Sequence, residues 1–246
     1  FVGKPLIKRH FKSSQANATP VTNGRHIVAL FGSIGLMVCY DMNGTLVWQK
    51  PIGALDSGWF LDPSYQWGHS SSPMIYQSSV IVQADQHKGS FIAAFDLATG
   101  KELWRTERPD EVSTWATPAI LSSAKGDELI TNGTKVRGYD PATGALLWTL
   151  APNSEIAIGS PVIHGELAIV TAGYPPVRPA YAVRAGARGD ISLPPGRSTS
   201  DAIAWSHDRD GTYISSPIVY RGLLYTLNNN GILTAYDATS GERLYR

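Results

Sequence analysis

The residues best suited to chemistry lie in one long connecting segment, residues 51–69. The candidate binding residues in this segment are three aromatic residues, an acid and an imidazole: Trp59, Asp62, Tyr65, Trp67 and His69. Aromatic rings offer flat apolar area to a ligand, and a few polar side chains can fix its orientation. The composition therefore predicts a surface on residues 51–69 that binds a small ligand or a protein.

Three further polar residues follow predicted strands and join this candidate binding set. They are Asp85, His87 and Asn132. Asp85 and His87 could bind a metal, but one Asp-x-His pair lacks a third ligand, so we predict no metal site. The alternative is structural: the aromatic side chains seal the loop onto the fold, and Asp and Asn stabilise turns.

The sequence carries no motif of an activated nucleophile. It has no Gly-x-Ser-x-Gly, no His-Glu-x-x-His and no glycine-rich phosphate loop ahead of a helix. We therefore predict no catalytic residue.

The elements that must position these residues are repeats. Residues 91–105 have the pattern of a strand, an Asp-x-x-Thr-Gly turn and a second strand that starts with Leu-Trp. Copies of the turn and the second strand begin at Tyr40, Tyr139 and Tyr236, and a fourth copy is interrupted by residues 185–201. A second marker, Ser-Pro or Thr-Pro, precedes each copy and leads into a short apolar strand, because proline is tolerated at the start of a strand.

The aromatic residue at the end of each copy recurs at intervals of roughly 40 to 57 residues. These residues are Trp48, Trp104, Trp148, Trp205 and Tyr245. Repeats of about this length, with four short strands each, are typical of β-propeller blades. We predict an all-β fold of four-stranded antiparallel blades, with about five blades in this chain, as an arc of a larger ring of about seven or eight.

The predicted organisation is a single propeller domain over residues 1–246. An orphan outer strand is predicted at residues 5–11, ahead of the blades, and residues 185–201 are predicted to be an exposed, mobile loop because they are rich in Gly, Pro and Ser. The predicted blades cover about 14–50, 70–107, 115–150, 159–208 and 214–246. In this arrangement loop 51–69 and the turns at Asp85 and Asn132 share one face, and the Asp-x-x-Thr-Gly turns lie on the other.

Composition excludes several classes of function. The formal net charge is +1, so bulk electrostatics predicts neither a nucleic-acid partner nor a basic membrane-binding face. The single cysteine, Cys39, can form no internal disulfide. No apolar run approaches the roughly 18 residues of a membrane span. The first residues carry no signal peptide and no initiator Met, so we expect a processed or truncated chain.

The repeat resembles the pyrroloquinoline-quinone-type (PQQ-like) β-propeller repeat, most completely over Ala94 to Trp104. The resemblance implies that Trp48, Trp104, Trp148 and Trp205 form a girdle between blades, with Tyr245 as a weaker copy. It also implies a periplasmic or otherwise extracytoplasmic location. The quinoprotein dehydrogenases of this family carry an adjacent cysteine pair and a calcium-binding Glu-Asn-Asp set. This chain has only Cys39, and no residues here match the calcium set.

These features favour a non-catalytic scaffold that binds a protein or small ligand on the face carrying loop 51–69, with no cofactor. The alternative is a fragment of a PQQ-dependent dehydrogenase, and only that alternative implies PQQ and calcium. A third hypothesis is a hydrolase or lyase that uses the aromatic face.

Overall fold

The structure is a computed structural model that describes residues 4, 6–7, 10–11, 13–14 and 16–246. The described residues contain no α-helix and form five sheets, each built on four antiparallel strands, which are the predicted blades. By backbone contacts the chain divides into two compact units, Phe1–Thr117 and Pro118–Arg246. The predicted outer strand over residues 5–11 falls partly on residues 5, 8 and 9, which lie outside the described residues.

The first unit contains two blades. Blade 1 consists of β1 (Val21–Thr22), β2 (His26–Phe31), β3 (Leu36–Asp41) and β4 (Leu46–Pro51). Blade 2 consists of β5 (Met74–Tyr76), β6 (Ser79–Ala84), β7 (Phe91–Asp96) and β8 (Glu102–Glu107). A core of buried apolar side chains, including Val28, Met37, Val82 and Phe95, joins the two sheets face to face. The first strand of each blade is shorter than its neighbours because the Pro before it removes a ladder donor.

The second unit contains three blades. Blade 3 consists of β9 (Ala119–Leu121), β10 (Glu128–Thr131), β11 (Val136–Tyr139) and β12 (Leu146–Leu150). Blade 4 consists of β13 (Val162–His164), β14 (Leu167–Thr171), β15 (Ala180–Arg184) and β17 (Ile203–His207), with β16 (Gly189–Asp190) between its last two strands. Blade 5 consists of β18 (Ile218–Tyr220), β19 (Leu223–Leu227), β20 (Leu233–Asp237) and β21 (Arg243–Tyr245). Two buried clusters fill the spaces between these sheets.

The Asp-x-x-Thr-Gly turn forms as its residues predict. The Asp96 carboxylate accepts hydrogen bonds from the Thr99 amide at 2.8 Å and from the Thr99 hydroxyl at 2.7 Å. The Gly100 amide donates to the Asp96 carbonyl at 2.8 Å, with Gly100 at a φ of 70°, where glycine has no steric cost. Asp237 makes the same turn in blade 5, where its carboxylate accepts from the Ser240 amide at 2.8 Å.

The Ser-Pro and Thr-Pro markers have a second role, which the sequence analysis missed. In the first unit the Ser72 hydroxyl accepts a hydrogen bond from the Thr19 amide at 2.9 Å, and the Thr117 hydroxyl accepts one from the Ser72 amide at 3.0 Å. In the second unit the Ser216 hydroxyl accepts from the Ser160 amide at 3.0 Å. The hydroxyl of one marker therefore bonds the backbone of the preceding marker, which fixes blade 1 to blade 2 and blade 4 to blade 5.

The aromatic residues of the predicted girdle differ in their burial and in their hydrogen-bond partners. Trp48 and Trp205 are buried, and their indole N–H groups donate to carbonyls of the next blade. Trp148 is buried but donates to Glu128 of its own blade at 2.8 Å. Trp104 is only partly buried, and Tyr245 is half exposed.

The prediction that residues 185–201 form a mobile exposed loop is wrong for the first half of the segment. Ala185, Ala187 and Ile191 are buried in the core between blades 3 and 4. Strand β16 pairs in parallel with β12, so that blade 3 has a fifth strand. The Gly, Pro and Ser content correctly predicts that residues 194–200 are exposed. The three apolar residues Ala185, Ala187 and Ile191 indicated burial, but the overall composition outweighed them in the prediction.

Candidate functional site

The aromatic residues of loop 51–69 form one cluster in the first unit. The rings of Trp59 and Tyr65 meet edge to face, with 6.0 Å between centroids. The imidazole of His10 joins the cluster at 4.4 Å from the Trp67 ring and 5.6 Å from the Tyr65 ring. His10 was not among the predicted site residues, since nothing in the local sequence pattern links it to residues some 50 positions away.

The loop is held in shape by its own polar groups. The Gln66 amide donates to the Asp56 carboxylate at 2.5 Å and to the Pro63 carbonyl at 2.7 Å. The Trp59 amide donates to the Tyr65 carbonyl at 3.1 Å. The Asp62 carboxylate accepts hydrogen bonds from the amide and the hydroxyl of Ser64, at 3.1 and 2.7 Å. Asp62, predicted as a ligand contact, therefore stabilises a turn within the loop.

Large apolar side chains remain exposed on this cluster. The exposed fraction is 66% for Leu61, 43% for Tyr65 and 79% for Phe11. Trp59 and Trp67 are partly buried behind them. We call Phe11, Leu61 and Tyr65 with the two tryptophans the aromatic surface. It offers apolar contact on an ordered loop, which suits binding.

Asp85 lies inside the first unit. Its carboxylate accepts two hydrogen bonds from the Arg108 guanidinium, at 2.8 and 3.1 Å, and one from the Gln83 amide at 2.7 Å. The Thr114 hydroxyl donates a further, short hydrogen bond to the same carboxylate. Arg108 also pairs with Glu111 at 2.9 Å. These contacts satisfy the carboxylate internally, as a buried charge requires. His87, by contrast, is exposed.

His69 is buried in the first unit, and its ring packs against Gly32. A Cβ at position 32 would stand only 2.6 Å from the Cβ of His69. Neither ring nitrogen hydrogen-bonds to any residue that the structure describes. Burial lowers the pKa of His69 to about 4, although the Ser71 backbone and the Asp85 carboxylate act in the opposite direction. The imidazole is therefore neutral at pH 7, and it belongs to the core beneath the loop.

Asn132 belongs to the second unit and is also buried. Its amide donates to the carbonyls of Gly159 and Thr171, at 2.8 and 2.9 Å, and its side-chain oxygen accepts from Asn153 at 2.8 Å. These bonds tie blade 3 to blade 4. A polar residue directly after a strand looks the same in sequence whether it faces solvent or closes such a network, which is why sequence reasoning placed Asn132 and Asp85 in a ligand site.

The described residues do not fit the calcium ion that a PQQ enzyme would need. Calcium takes about six to eight oxygen ligands, several of them carboxylates. Asp56 is bonded to Gln66, Asp62 to Ser64, and Asp85 to Arg108. Within the part of the chain that the structure describes, no three His, Cys, Asp or Glu side chains come together as a metal site.

Comparison with known proteins identifies relatives at several levels. Residues 6–190 match the family model described as outer membrane protein assembly factor BamB. A tetrathionate hydrolase of Acidithiobacillus ferrooxidans is 31% identical over 128 residues, which is 52% of this chain. The chain spans only about a quarter of that relative, 24% of its length.

Two solved structures share the fold at low identity. BamB from Moraxella catarrhalis is 17% identical, with a TM-score of 0.54, over 95% of this chain and 73% of that one. The quinohemoprotein alcohol dehydrogenase of Comamonas testosteroni is 14% identical, with a TM-score of 0.65, over 94% of this chain and 42% of that one. These likenesses confirm the predicted β-propeller fold and the PQQ-like repeat. The match to the family model covers most of the sequence, and the chain therefore belongs to the family of outer membrane protein assembly factor BamB.

Proposed function

We propose that this chain is a non-catalytic scaffold that binds an extended, apolar segment of a partner protein on the aromatic surface. The single observation that carries the proposal is the exposure of Leu61 and Tyr65, on a loop whose polar groups are bonded internally, together with Phe11, whose ring lies 4.5 Å from that of His10. Exposed apolar patches rimmed by polar residues are typical of protein-binding sites. The partly buried tryptophans behind them supply rigid aromatic contact area.

The energetics agree with a binding role. Burying a large apolar side chain is worth about 1.5 to 3 kcal/mol, so three such side chains can anchor a peptide. A loop already ordered by Gln66 and Asp62 loses little conformational entropy on binding. Asp85 is paired with Arg108 inside the unit, and this ion pair favours a role in binding a partner over a role in acid–base catalysis.

Family membership supports a protein partner outside the cytoplasm. The family description and one structural relative name an assembly factor for outer-membrane proteins. We therefore propose a periplasmic or otherwise extracytoplasmic location and an unfolded outer-membrane protein segment as the partner. None of the described residues belongs to a helix that is long and apolar enough to cross a membrane.

Peptide binding tests the proposal. The probe is a fluorescent peptide of about ten residues that alternates aromatic and polar side chains, as a strand of an outer-membrane barrel does. We expect binding by the wild type and a loss of about tenfold or more in the Leu61→Ser/Tyr65→Ser double variant. Leu103→Ser is the matched control, because Leu103 is equally apolar and exposed but lies on β8. Equal affinity of all three proteins would refute the proposal.

The alternative function is a fragment of a PQQ-dependent dehydrogenase. The relative that suggests it is 14% identical, and at that level the likeness shows the fold alone. Dye-linked oxidation of alcohols or sugars with added quinone and calcium tests this alternative. We expect no turnover. Turnover that Asp62→Asn or Asp85→Asn abolishes would move the dehydrogenase to first place.

The hydrolase hypothesis has one observation in its favour, the 31% identity to a tetrathionate hydrolase over half of this chain. Incubation of the purified chain with tetrathionate, followed by measurement of thiosulfate and sulfate, tests it. Sustained product formation by this chain would replace the scaffold proposal.

A further inference from the structure

A second candidate site lies in the second unit, where loops of blades 4 and 5 enclose a pocket. Its volume is about 420 Å³, within the usual range for small-molecule sites. Three stretches of chain line it: residues 173–178 after β14, residues 209–213 ahead of β18, and residues 228–230 after β19. Side chains of β20 and β21 complete the wall.

The charge of this pocket is one-sided. Four arginines line it, namely Arg178, Arg209, Arg243 and Arg246, against the single carboxylate of Asp210. The lining therefore carries a formal charge of +3, whereas the whole chain carries only +1. The positive charge is concentrated at this pocket.

The four guanidinium groups are available to a ligand. Among the residues that the structure describes, none of the four is ion-paired within 4 Å. The Asp210 carboxylate has two other partners, Tyr236 and His207. It lies 3.8 Å from His207, and together with burial it raises the pKa of Tyr236 to about 12. Some arginines outside the pocket are ion-paired, since Arg105 pairs with Glu102 and Arg108 with Asp85.

We propose that this pocket binds a small molecule that carries two negative charges. Arginine suits this role because its planar fork donates two parallel hydrogen bonds to a carboxylate, phosphate or sulfate group. The amide side chains of Asn228, Asn229 and Asn230 add neutral donors at the same rim. The volume exceeds that of one tetrahedral anion, so an elongated ligand with an anionic group at each end fits better than a compact one.

This pocket is independent of the aromatic surface proposed to bind a partner protein, because that surface belongs to the other unit. Bulk net charge did not reveal the pocket. The signal was present in sequence as arginines and asparagines in the loops after β14, β17 and β19, but the lining residues of successive loops are 31 and 15 residues apart along the chain.

Thermal unfolding and calorimetric titration test the site. The probes are succinate and inorganic phosphate, each compared with sodium chloride at the same ionic strength. We expect both dianions to raise the Tm by several degrees at concentrations well above Kd, with succinate binding more tightly. The Arg178→Gln/Arg209→Gln variant should lose about tenfold or more in affinity for both.

The matched control is Arg197→Gln/Arg221→Gln, which removes two exposed arginines of the same unit outside the pocket lining. It should keep wild-type affinity. The proposal is overturned if neither dianion binds, or if both double variants lose affinity equally, since the effect would then be one of general charge. Tighter binding of phosphate than of succinate would support a compact ligand and overturn the preference for an elongated one.

Discussion

Two kinds of blade boundary occur in this chain, and they solve the same problem differently. At the regular boundaries, Trp48 of blade 1 donates to the Leu97 carbonyl of blade 2 at 2.9 Å, and Trp205 of blade 4 donates to the Ala238 carbonyl of blade 5 at 3.1 Å. Both acceptors follow the Asp of an Asp-x-x-Thr/Ser-Gly turn. Blade 4 lacks this turn because residues 185–201 replace it, so Trp148 of blade 3 finds no such carbonyl.

Blade 3 supplies a different partner. Trp148 donates to the Glu128 carboxylate, whose other oxygen accepts a hydrogen bond from the Gly186 amide at 2.6 Å and lies 3.3 Å from Arg188. The indole also turns over its own sheet, where a Cβ at Gly138 would stand 2.1 Å from the indole nitrogen. At the regular boundaries the ring instead lies on the turn glycine of the next blade, Gly100 or Gly241.

This difference shows that a buried indole N–H needs a hydrogen-bond acceptor and that the chain can provide one in more than one way. Where the repeat is intact, a backbone carbonyl of the next blade suffices. Where the repeat is interrupted, the buried Glu128 carboxylate accepts the indole hydrogen bond instead, and Gly138 leaves space for the ring. The insertion supplies the other hydrogen bond to Glu128, from the Gly186 amide.

The largest expected effect comes from removing the insertion. Joining Arg184 to Ala202 through a short Gly linker exposes the core beneath Ile191 and leaves Glu128 without its insertion partners, so we expect a loss of about 5 kcal/mol in unfolding free energy. Chemical denaturation measures this loss. Replacing only the exposed residues 194–199 is the control and should cost less than about 1 kcal/mol. Equal stability of the two deletions would show that the insertion does not support the boundary.

Removing the indoles tests whether both kinds of boundary contribute similarly to the free energy of unfolding. Trp148→Ala and Trp205→Ala should each cost about 3 to 5 kcal/mol, the range for a buried aromatic. Tyr245→Ala should cost much less, because Tyr245 is half exposed. A small effect of Trp148→Ala alone would mean that the interrupted boundary relies on the insertion and not on the ring. Denaturant midpoints at constant m-value report the ranking.

Gly138→Ala probes the space that the turned indole needs. The new methyl group would collide with Trp148, and we expect a cost of about 1 to 3 kcal/mol. Gly159→Ala is the control, since its nearest atom would be 3.4 Å away. Blades with a regular indole carry Ala or Cys at the equivalent position, so the same methyl group is harmless there. If Gly138→Ala unfolds at the wild-type midpoint, the close contact does not limit packing.

Glu128→Gln keeps the acceptor for Trp148 but removes the charge that faces Gly186 and Arg188. Its cost should be about 1 to 2 kcal/mol, as for loss of a charge-assisted hydrogen bond. Glu155→Gln, an exposed acid in the same unit, should leave stability unchanged. Hydrogen exchange at the Gly186 amide is the direct readout, and unchanged protection in Glu128→Gln would contradict the proposed link.

The smallest effect concerns the regular turn. Hydrogen bonds from Thr99 lower the pKa of Asp96, so the ionised carboxylate stabilises the fold above the unfolded pKa of roughly 4, and this contribution is lost as pH falls below it. Asp96→Asn should flatten that acid dependence and change stability at pH 7 by less than about 1 kcal/mol. Asp208→Asn, on the exposed surface, is the control for net charge. An unchanged acid limb in Asp96→Asn would exclude this turn as its source.

The fold was predictable because its signals are local. A strand, a turn with Asp and Gly, and a second strand with Trp near its start lie within about 15 residues, and each turn forms as its residues require. Strand β16 was not predictable in the same way, because its partner Trp148 lies about 40 residues earlier. Two clues existed: Gly138 where other repeats have Ala or Cys, and Glu128 in an apolar strand.

The candidate site was predictable in part. The aromatic residues of loop 51–69 are unusual for a connection, and their closeness in sequence made the ring contacts between them predictable. Asp85 could not be assigned from sequence, because its partner Arg108 lies beyond the end of the following hairpin. Burial of both charges depends on how two separate segments pack, and no short pattern encodes that.

From the parallel pairing of β16 with β12 we expect an order in which the sheets are completed during synthesis. Blade 2 has all four strands within residues 74–107, so its sheet can close as soon as those residues emerge. Blade 3 waits for residues 189–190, which follow β15 of the next blade. Until then the outer edge of β12 is open to any passing strand. The interrupted boundary therefore makes blades 3 and 4 complete each other, and neither can be exchanged alone as an independent module.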